Sequence, residues 1–222
     1  MYVPKHFELD ADRVAALLAT ADTAQLVTAH PEGPVATLLP VAYRPAATVS
    51  DGLGALVMHV TRVNTQWRDP HLGEALAILD GPDAYVDPAW APSHDASPGV
   101  PTWNYVTVHC YGALVAHDDP AWTRAAVEQL SARHGYDTGR VDPDSIGRML
   151  RAIVGVELRI SRVVAKAKLS QNRRPEDVAG IIAGLGGPAA SDLAAAMADV
   201  SLPHAQARYE LIGEIRSGRR RA

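Results

Sequence analysis

The sequence predicts an α+β protein: a small β-barrel of about six antiparallel strands, with flanking helices and a helical C-terminal extension. Three observations carry that expectation. Strand-length runs rich in Val, Leu, Thr and Tyr recur between residues 24 and 170, several with apolar and polar positions alternating. Helices inserted between such strands suggest a small closed sheet with its faces covered. From Pro175 onward the pattern is helical. By sequence the chain therefore divides into a barrel domain over residues 1–174 and a helical extension over 175–222 that packs on it.

The elements follow in order. Asp10 caps a first helix over 10–21, whose Val14, Leu17, Leu18 and Ala21 share one face. Strands over 24–30 and 35–43 flank the turn Pro31-Glu32-Gly33-Pro34. Pro40 inside the second strand requires an edge or a bulge, because proline cannot donate to a ladder. Residues 55–60 form a third strand with Leu56, Met58 and Val60 on one face and Val57 and His59 on the other. The polar stretch 62–69 turns into a short helix, and 75–79 returns as a fourth strand. Residues 81–102, rich in Pro, Asp, Ser and Gly, read as one long loop carrying Tyr85 and Trp90, of a length that usually serves function. A long strand over 103–115 precedes a helix from Asp119-Pro120 to about His134, with Asp at the cap and Pro in the first turn. A helix over 145–152 leads to a sixth strand in which Val156, Leu158 and Ile160 alternate with Glu157, Arg159 and Ser161, continuing through 166–170. Helices over 175–183, 191–200 and 204–216 complete the chain. Gly184-Leu185-Gly186-Gly187 follows a helix and reads as its stop, not as a phosphate cradle.

Composition excludes several functions. The net charge of −4 offers polyanions no general attraction, so nucleic acid is an unlikely partner. The tail Arg216, Arg219, Arg220 and Arg221 is the one basic run, and it reads as solvated. With Cys110 alone there is no intramolecular disulfide and no Cys-x-x-Cys-His signature for covalent haem, and Cys110 reads as a small buried hydrophobe. No apolar signal core and no run of roughly 18 apolar residues is present, so the expected location is the cytoplasm, without a membrane partner. Dinucleotide, Walker, zincin and nucleophile-elbow signatures are absent.

Candidate site residues fall into three groups. His59 sits mid-strand, where a neutral imidazole suits an axial iron ligand and equally suits a buried structural role; Arg62 and Asn64 adjoin it. His109, on the face of Tyr105 and Tyr111 by period two, is the reserve ligand; His117 lies about 26 Å along the same strand, too far to share a metal with it. Lys168, Ser170, Gln171 and Arg173 bring cations, an amide and a hydroxyl to a strand end, a grouping suited to phosphate or carboxylate or else to a polar turn with Asn172 as a cap. Trp103, Asn104 and Tyr105 could wall a planar ring.

Five segments, 1–8 (MYVPKHFE), 59–67 (HVTRVNTQW), 100–109 (VPTWNYVTVH), 151–160 (RAIVGVELRI) and 168–173 (KLSQNR), closely resemble the signatures of the PaiB family. The resemblance implies an FMN-binding split barrel in which two subunits form a homodimer and share cofactor sites. The chain departs from the family pattern at Leu39, where a His precedes the Pro of the second strand, and at Asp87, where a Ser is common. Among PaiB-like proteins it is similar to the haem-dependent piperazate synthases, which implies haem b, with FMN as the alternative. The implied reaction closes N5-hydroxy-L-ornithine, a small amino-acid substrate, into L-piperazate. On that reading His59 is the metal ligand, and Arg62, Asn64, Trp103, Lys168, Ser170, Gln171 and Arg173 contact cofactor or substrate. Tyr105 and Glu157 are the candidate proton carriers. The alternatives are an FMN-binding negative transcriptional regulator and a flavin-dependent oxidoreductase.

Overall fold

The computed structural model describes residues 1–48 and 52–218. Of the arginine tail, Arg216 is within that span, and Arg219, Arg220 and Arg221 lie outside the described residues. The chain forms two compact units. Unit 1 comprises Met1–Leu9, Gly81–Thr107 and the chain from Ala165 on; unit 2 comprises Asp10–Asp80 and Val108–Val164. The helices after residue 174 thus share a unit with the N-terminal arm and the loop after residue 86.

Seven strands, not about six, make one sheet in the order β2-β1-β5-β6-β7-β4-β3. They are β1 (Thr23–His30), β2 (Gly33–Pro40), β3 (Ala42–Arg44), β4 (Ala55–Thr61), β5 (Ala75–Val86), β6 (Thr102–His117) and β7 (Ile153–Lys168). The extra strand arises because the run expected over 35–43 breaks at Val41, directly after Pro40. β2 is a sheet edge and Pro40 its last residue, which satisfies the requirement its missing N–H imposes. The pairings of β1 with β2 and β5, and of β4 with β3 and β7, are antiparallel.

The long loop is shorter than its composition suggested. β5 runs through Gly81-Pro82-Asp83 to Val86, and Pro82 fits there because β1 pairs only with Leu76, Ala77 and Ile78. What remains, 87–101, is ordered within unit 1 against α4 (Pro175–Gly184). Ser93 donates to Asp177 through its N–H at 2.9 Å and its hydroxyl at 2.7 Å. Trp90 occupies the groove that Gly180 and Gly184 leave open, since a methyl on Gly184 would overlap the indole.

In unit 2 the helices are α1 (Ala11–Thr20), α2 (Pro120–Arg133) and α3 (Pro143–Arg151). Each is capped by an aspartate: Asp10 accepts from Arg13 N–H, Asp119 from Ala121 and Trp122 N–H, and Asp142 from Ser145 N–H. The core side of β4 and β7 is aliphatic and sealed, with Leu56, Met58, Val154, Val156 and Leu158 fully buried. The helical segment of unit 1 continues from α4 through α5 (Pro188–Ala196), a π-helical turn over Met197–Ser201, and α6 (Leu202–Arg216). Among the described residues no helix is long and apolar enough to cross a membrane.

Candidate cofactor site

β4 delivers His59 to the face opposite its sealed core side. By strand geometry Val57, His59 and Thr61 point one way and Leu56, Met58 and Val60 the other, and Val57 is buried as well. On that first face the register sets Val57 against Glu157 and His59 against Gly155. His59 is half-buried, and burial holds its imidazole below the ordinary histidine range, so the ring is neutral near pH 7. Its Nδ1 is buried without a hydrogen-bond partner among the described residues. A neutral ring on a rigid strand, with a nitrogen that no described group engages, fits an axial ligand for haem iron, although His71, His94 and His109 also have an unpartnered Nδ1. His109, the reserve ligand, shares the buried unpartnered Nδ1 and the downward shift from burial, and its ring lies 6.3 Å from that of Tyr111. Among the described residues no group of three or more His, Cys, Asp or Glu is placed to hold a metal ion.

The residues beside His59 have other duties. Arg62 pairs with Asp118 at 2.7 Å and donates to the carbonyls of Arg151 at 2.9 Å and Ile153 at 3.1 Å. Its guanidinium therefore clamps the α3–β7 junction. Asn64 accepts from Gln66 N–H at 2.9 Å, capping a short 3-10 turn, and donates to Thr37 Oγ1 at 3.2 Å. It also lines a groove of about 640 Å³ with His30, Glu32, Gln66 and Asp69. A second groove, about 430 Å³, contains Arg62, Asp118, Asp119, Arg124 and Arg151. His59 lines neither.

Glu157, expected as a proton carrier, is a buried counter-ion. It is 3% exposed, and its carboxylate receives Arg44, Arg159 Nε at 3.2 Å and His117 Nε2 at 3.1 Å. With both oxygens taken by these partners, it has no free edge to offer a substrate. Sequence reasoning missed Arg44 and His117, whose meeting at Glu157 depends on strand register and carries no local signature.

In unit 1 the end of β7 gathers positive charge. Lys168 Nζ donates to Thr102 Oγ1 at 2.6 Å and to the Trp103 carbonyl. Burial, then Lys166 and Arg173, push its ammonium below the ordinary lysine range. Lys166 and Lys168 stand 5.5 and 5.9 Å from the ring centre of half-buried Tyr105, and the Trp103 side chain is exposed. None of Lys166, Lys168 and Arg173 has an ion-pair partner among the described residues. Lys166 is the cation the sequence analysis passed over, although two residues before Lys168 on a strand is the spacing that shares a face.

Ser170 and Gln171 frame this strand end and do not open onto it. Gln171 is 1% exposed; its Oε1 accepts from Leu169 N–H at 2.8 Å and its Nε2 donates to the Ala167 carbonyl at 2.6 Å. Ser170, 5% exposed, has φ +66° and exchanges hydrogen bonds with Asn104, whose Nδ2 donates at 3.0 Å and whose Oδ1 accepts at 3.2 Å. These two are corrected from anion ligands to turn supports, while Lys168 and Arg173 stay available. Cys110 is fully buried, its thiol pushed up to about 12 by burial, which suits a hydrophobe.

Comparison with known proteins meets this arrangement at three levels. Residues 1–162 match the family described as "Putative FMN-binding domain". The chain is 28% identical over 189 residues to the protease synthase and sporulation protein PAI 2 of Bacillus subtilis, covering 82% of this chain and 87% of that one. Among solved structures, an FAD and haem binding protein of Mycobacterium smegmatis superposes with a TM-score of 0.54 at 17% identity, over 80% of this chain and 79% of that one. A flavocytochrome of Azotobacter vinelandii gives 0.50 at 14% identity, over 71% and 67%. These structural likenesses speak for the fold. The matched span, the PaiB relative and the seven-stranded sheet agree: the chain belongs to the FMN-binding split-barrel family that includes PaiB.

Proposed function

We propose that the chain is a cytoplasmic, homodimeric, haem-dependent cyclase that closes N5-hydroxy-L-ornithine into L-piperazate. One observation carries this reading: a half-buried, neutral His59 on a rigid strand, with a buried Nδ1 that no group among the described residues engages. Such an imidazole suits one iron of b-type haem, and a second copy of the chain completes the pocket. When bound, the haem supplies an iron that polarises the hydroxylamine N–O bond.

The reaction is redox-neutral overall. The N–O bond breaks, an N–N bond forms between the α-nitrogen and the former hydroxylamine nitrogen, and the hydroxyl leaves with an amine proton as water. The chain's own residues orient and neutralise. Lys168 and Arg173, with Lys166, form a cationic group within unit 1 that suits a carboxylate. Tyr105, half-buried beside two ammonium groups of the same unit, is the remaining candidate proton carrier, since Glu157 is committed elsewhere.

Protein expressed with haem precursor is expected to show a sharp Soret band near about 400 nm, and His59→Ala to lose both the band and the cyclisation. A His59→Ala protein that keeps haem and full activity overturns the assignment. A second reading is favoured by the uncompensated cations Lys166, Lys168 and Arg173 together with the family's description: an FMN-binding regulator or flavin-dependent oxidoreductase whose phosphate sits on those cations. Twin flavin bands with fluorescence, unaffected by His59→Ala, would select it.

A further inference from the structure

We propose that Trp122 is a positioning residue for His59, the wall that sets the plane of its imidazole; the consequence for iron rests on the haem reading above, but the placement itself does not. His59 and Gly155 are register partners of β4 and β7. Directly opposed side-chain positions in an antiparallel pair lie on one face, about 5 Å apart. At residue 155 that position is taken by another residue, because a methyl on Gly155 would overlap the six-membered edge of the Trp122 indole. The indole therefore stands in for the cross-strand neighbour that His59 would otherwise have, and glycine is required there by the close approach. α2, which carries Trp122, packs against β4 as well.

The indole is held from its other sides. His117 stacks on it, ring centres 3.9 Å apart and planes within 8°. His117 Nε2 is bound to Glu157 Oε2 at 3.1 Å, and Glu157 is gripped by Arg44 and Arg159. At the start of α2, Asp119 accepts from Trp122 N–H at 3.3 Å, and Thr123 Oγ1 donates to the His117 carbonyl at 3.4 Å. An imidazole that serves a metal usually has its second nitrogen fixed by a hydrogen bond. For His59 no hydrogen bond among the described residues orients either ring nitrogen, which leaves packing beside the indole to set the ring. The Glu157 cluster then acts at a distance: it holds His117, His117 holds Trp122, and Trp122 holds His59.

The test reads the ring in metal-free protein first. With His59→Ala identifying the signals, the His59 ring protons are expected to carry an indole ring-current shift that disappears in Trp122→Ala and is partly kept in Trp122→Phe. Gly155→Ala, which leaves the tryptophan in the chain but forces it from its notch, is expected to move the same signals. In haem-loaded protein Trp122→Ala should shift the Soret band and weaken haem binding by roughly tenfold, with Trp122→Phe restoring most of it. His59 signals that stay in place in a folded Trp122→Phe and in Gly155→Ala overturn the proposal. A wild-type chain that takes up no haem sinks the proposed function alone, since the metal-free spectra still decide where Trp122 stands.

Discussion

The two charged clusters, one in each unit, treat their charge in opposite ways. In unit 2, Glu157 is buried, and Arg44, Arg159 and His117 of the same unit answer it. In unit 1, Lys166, Lys168 and Arg173 crowd one strand end, no carboxylate among the described residues pairs with them, and Lys168 is held below its ordinary range. A carboxylate with every oxygen bonded is a fastener, whereas adjacent cations left to repel one another are stable only in the company of solvent or of an anion that has yet to arrive. In sequence Glu157, Lys166 and Lys168 are alike polar residues on one strand, β7. Burial and pairing tell the fastener from the cluster without a counter-ion.

The largest effect should come from breaking the fastener. Glu157→Ala leaves two guanidiniums and an imidazole without their acceptor and is expected to cost about 2–3 kcal/mol in urea denaturation. Arg44→Ala, which leaves Arg159 and His117 in place, should cost about 1 kcal/mol. Equal losses would mean that the carboxylate is not the hub.

The cationic cluster should respond the other way round. Lys168→Met is expected to change stability by less than about 1 kcal/mol while lowering affinity for an anionic cofactor by roughly tenfold, read by calorimetry at two salt concentrations. A large stability loss with unchanged affinity would move Lys168 into the class of Glu157.

Acid should weaken unit 2 through its buried rings. His59, His109 and His117 are all held below the ordinary value of 6.5 by burial, so the unfolded chain takes up protons there before the folded chain does. Stability is therefore complete above about pH 6.5 and falls as the pH drops through the lowered folded values. Melting curves from pH 8 to pH 5 should show the decline, and a flat profile would contradict the burial.

The smallest effect belongs to Ser170. Glycine there relieves the left-handed backbone but deletes the bond to Asn104, two changes of about 1 kcal/mol each and of opposite sign. Ser170→Gly should be near neutral, and Ser170→Ala, which keeps the strain and loses the bond, should cost more.

Much of the fold was legible because it is written in local periodicity. The faces of β4, the Asp10 and Asp119 caps, the hairpin at Pro31-Glu32 and the edge position of Pro40 follow from period two, cap chemistry and proline's missing donor. The break at Val41 and the extension of β5 through Pro82 were not legible, since both depend on where a neighbouring strand stops pairing. The site divides similarly. His59, Lys168 and Arg173 could be named as candidates from residue type and position, but the partners that already engage Arg62, Ser170, Gln171 and Glu157 could not.

Sequence alone determined which residues alternate, where helices begin, and that the chain carries the PaiB-type motifs, because each of these is set by neighbours a few positions away. Only the tertiary structure decided which polar groups are already satisfied, that Trp122 fills the notch at Gly155, and that no carboxylate among the described residues pairs with the three cations at the end of β7. Those outcomes come from contacts between residues dozens of positions apart, and no local pattern records them.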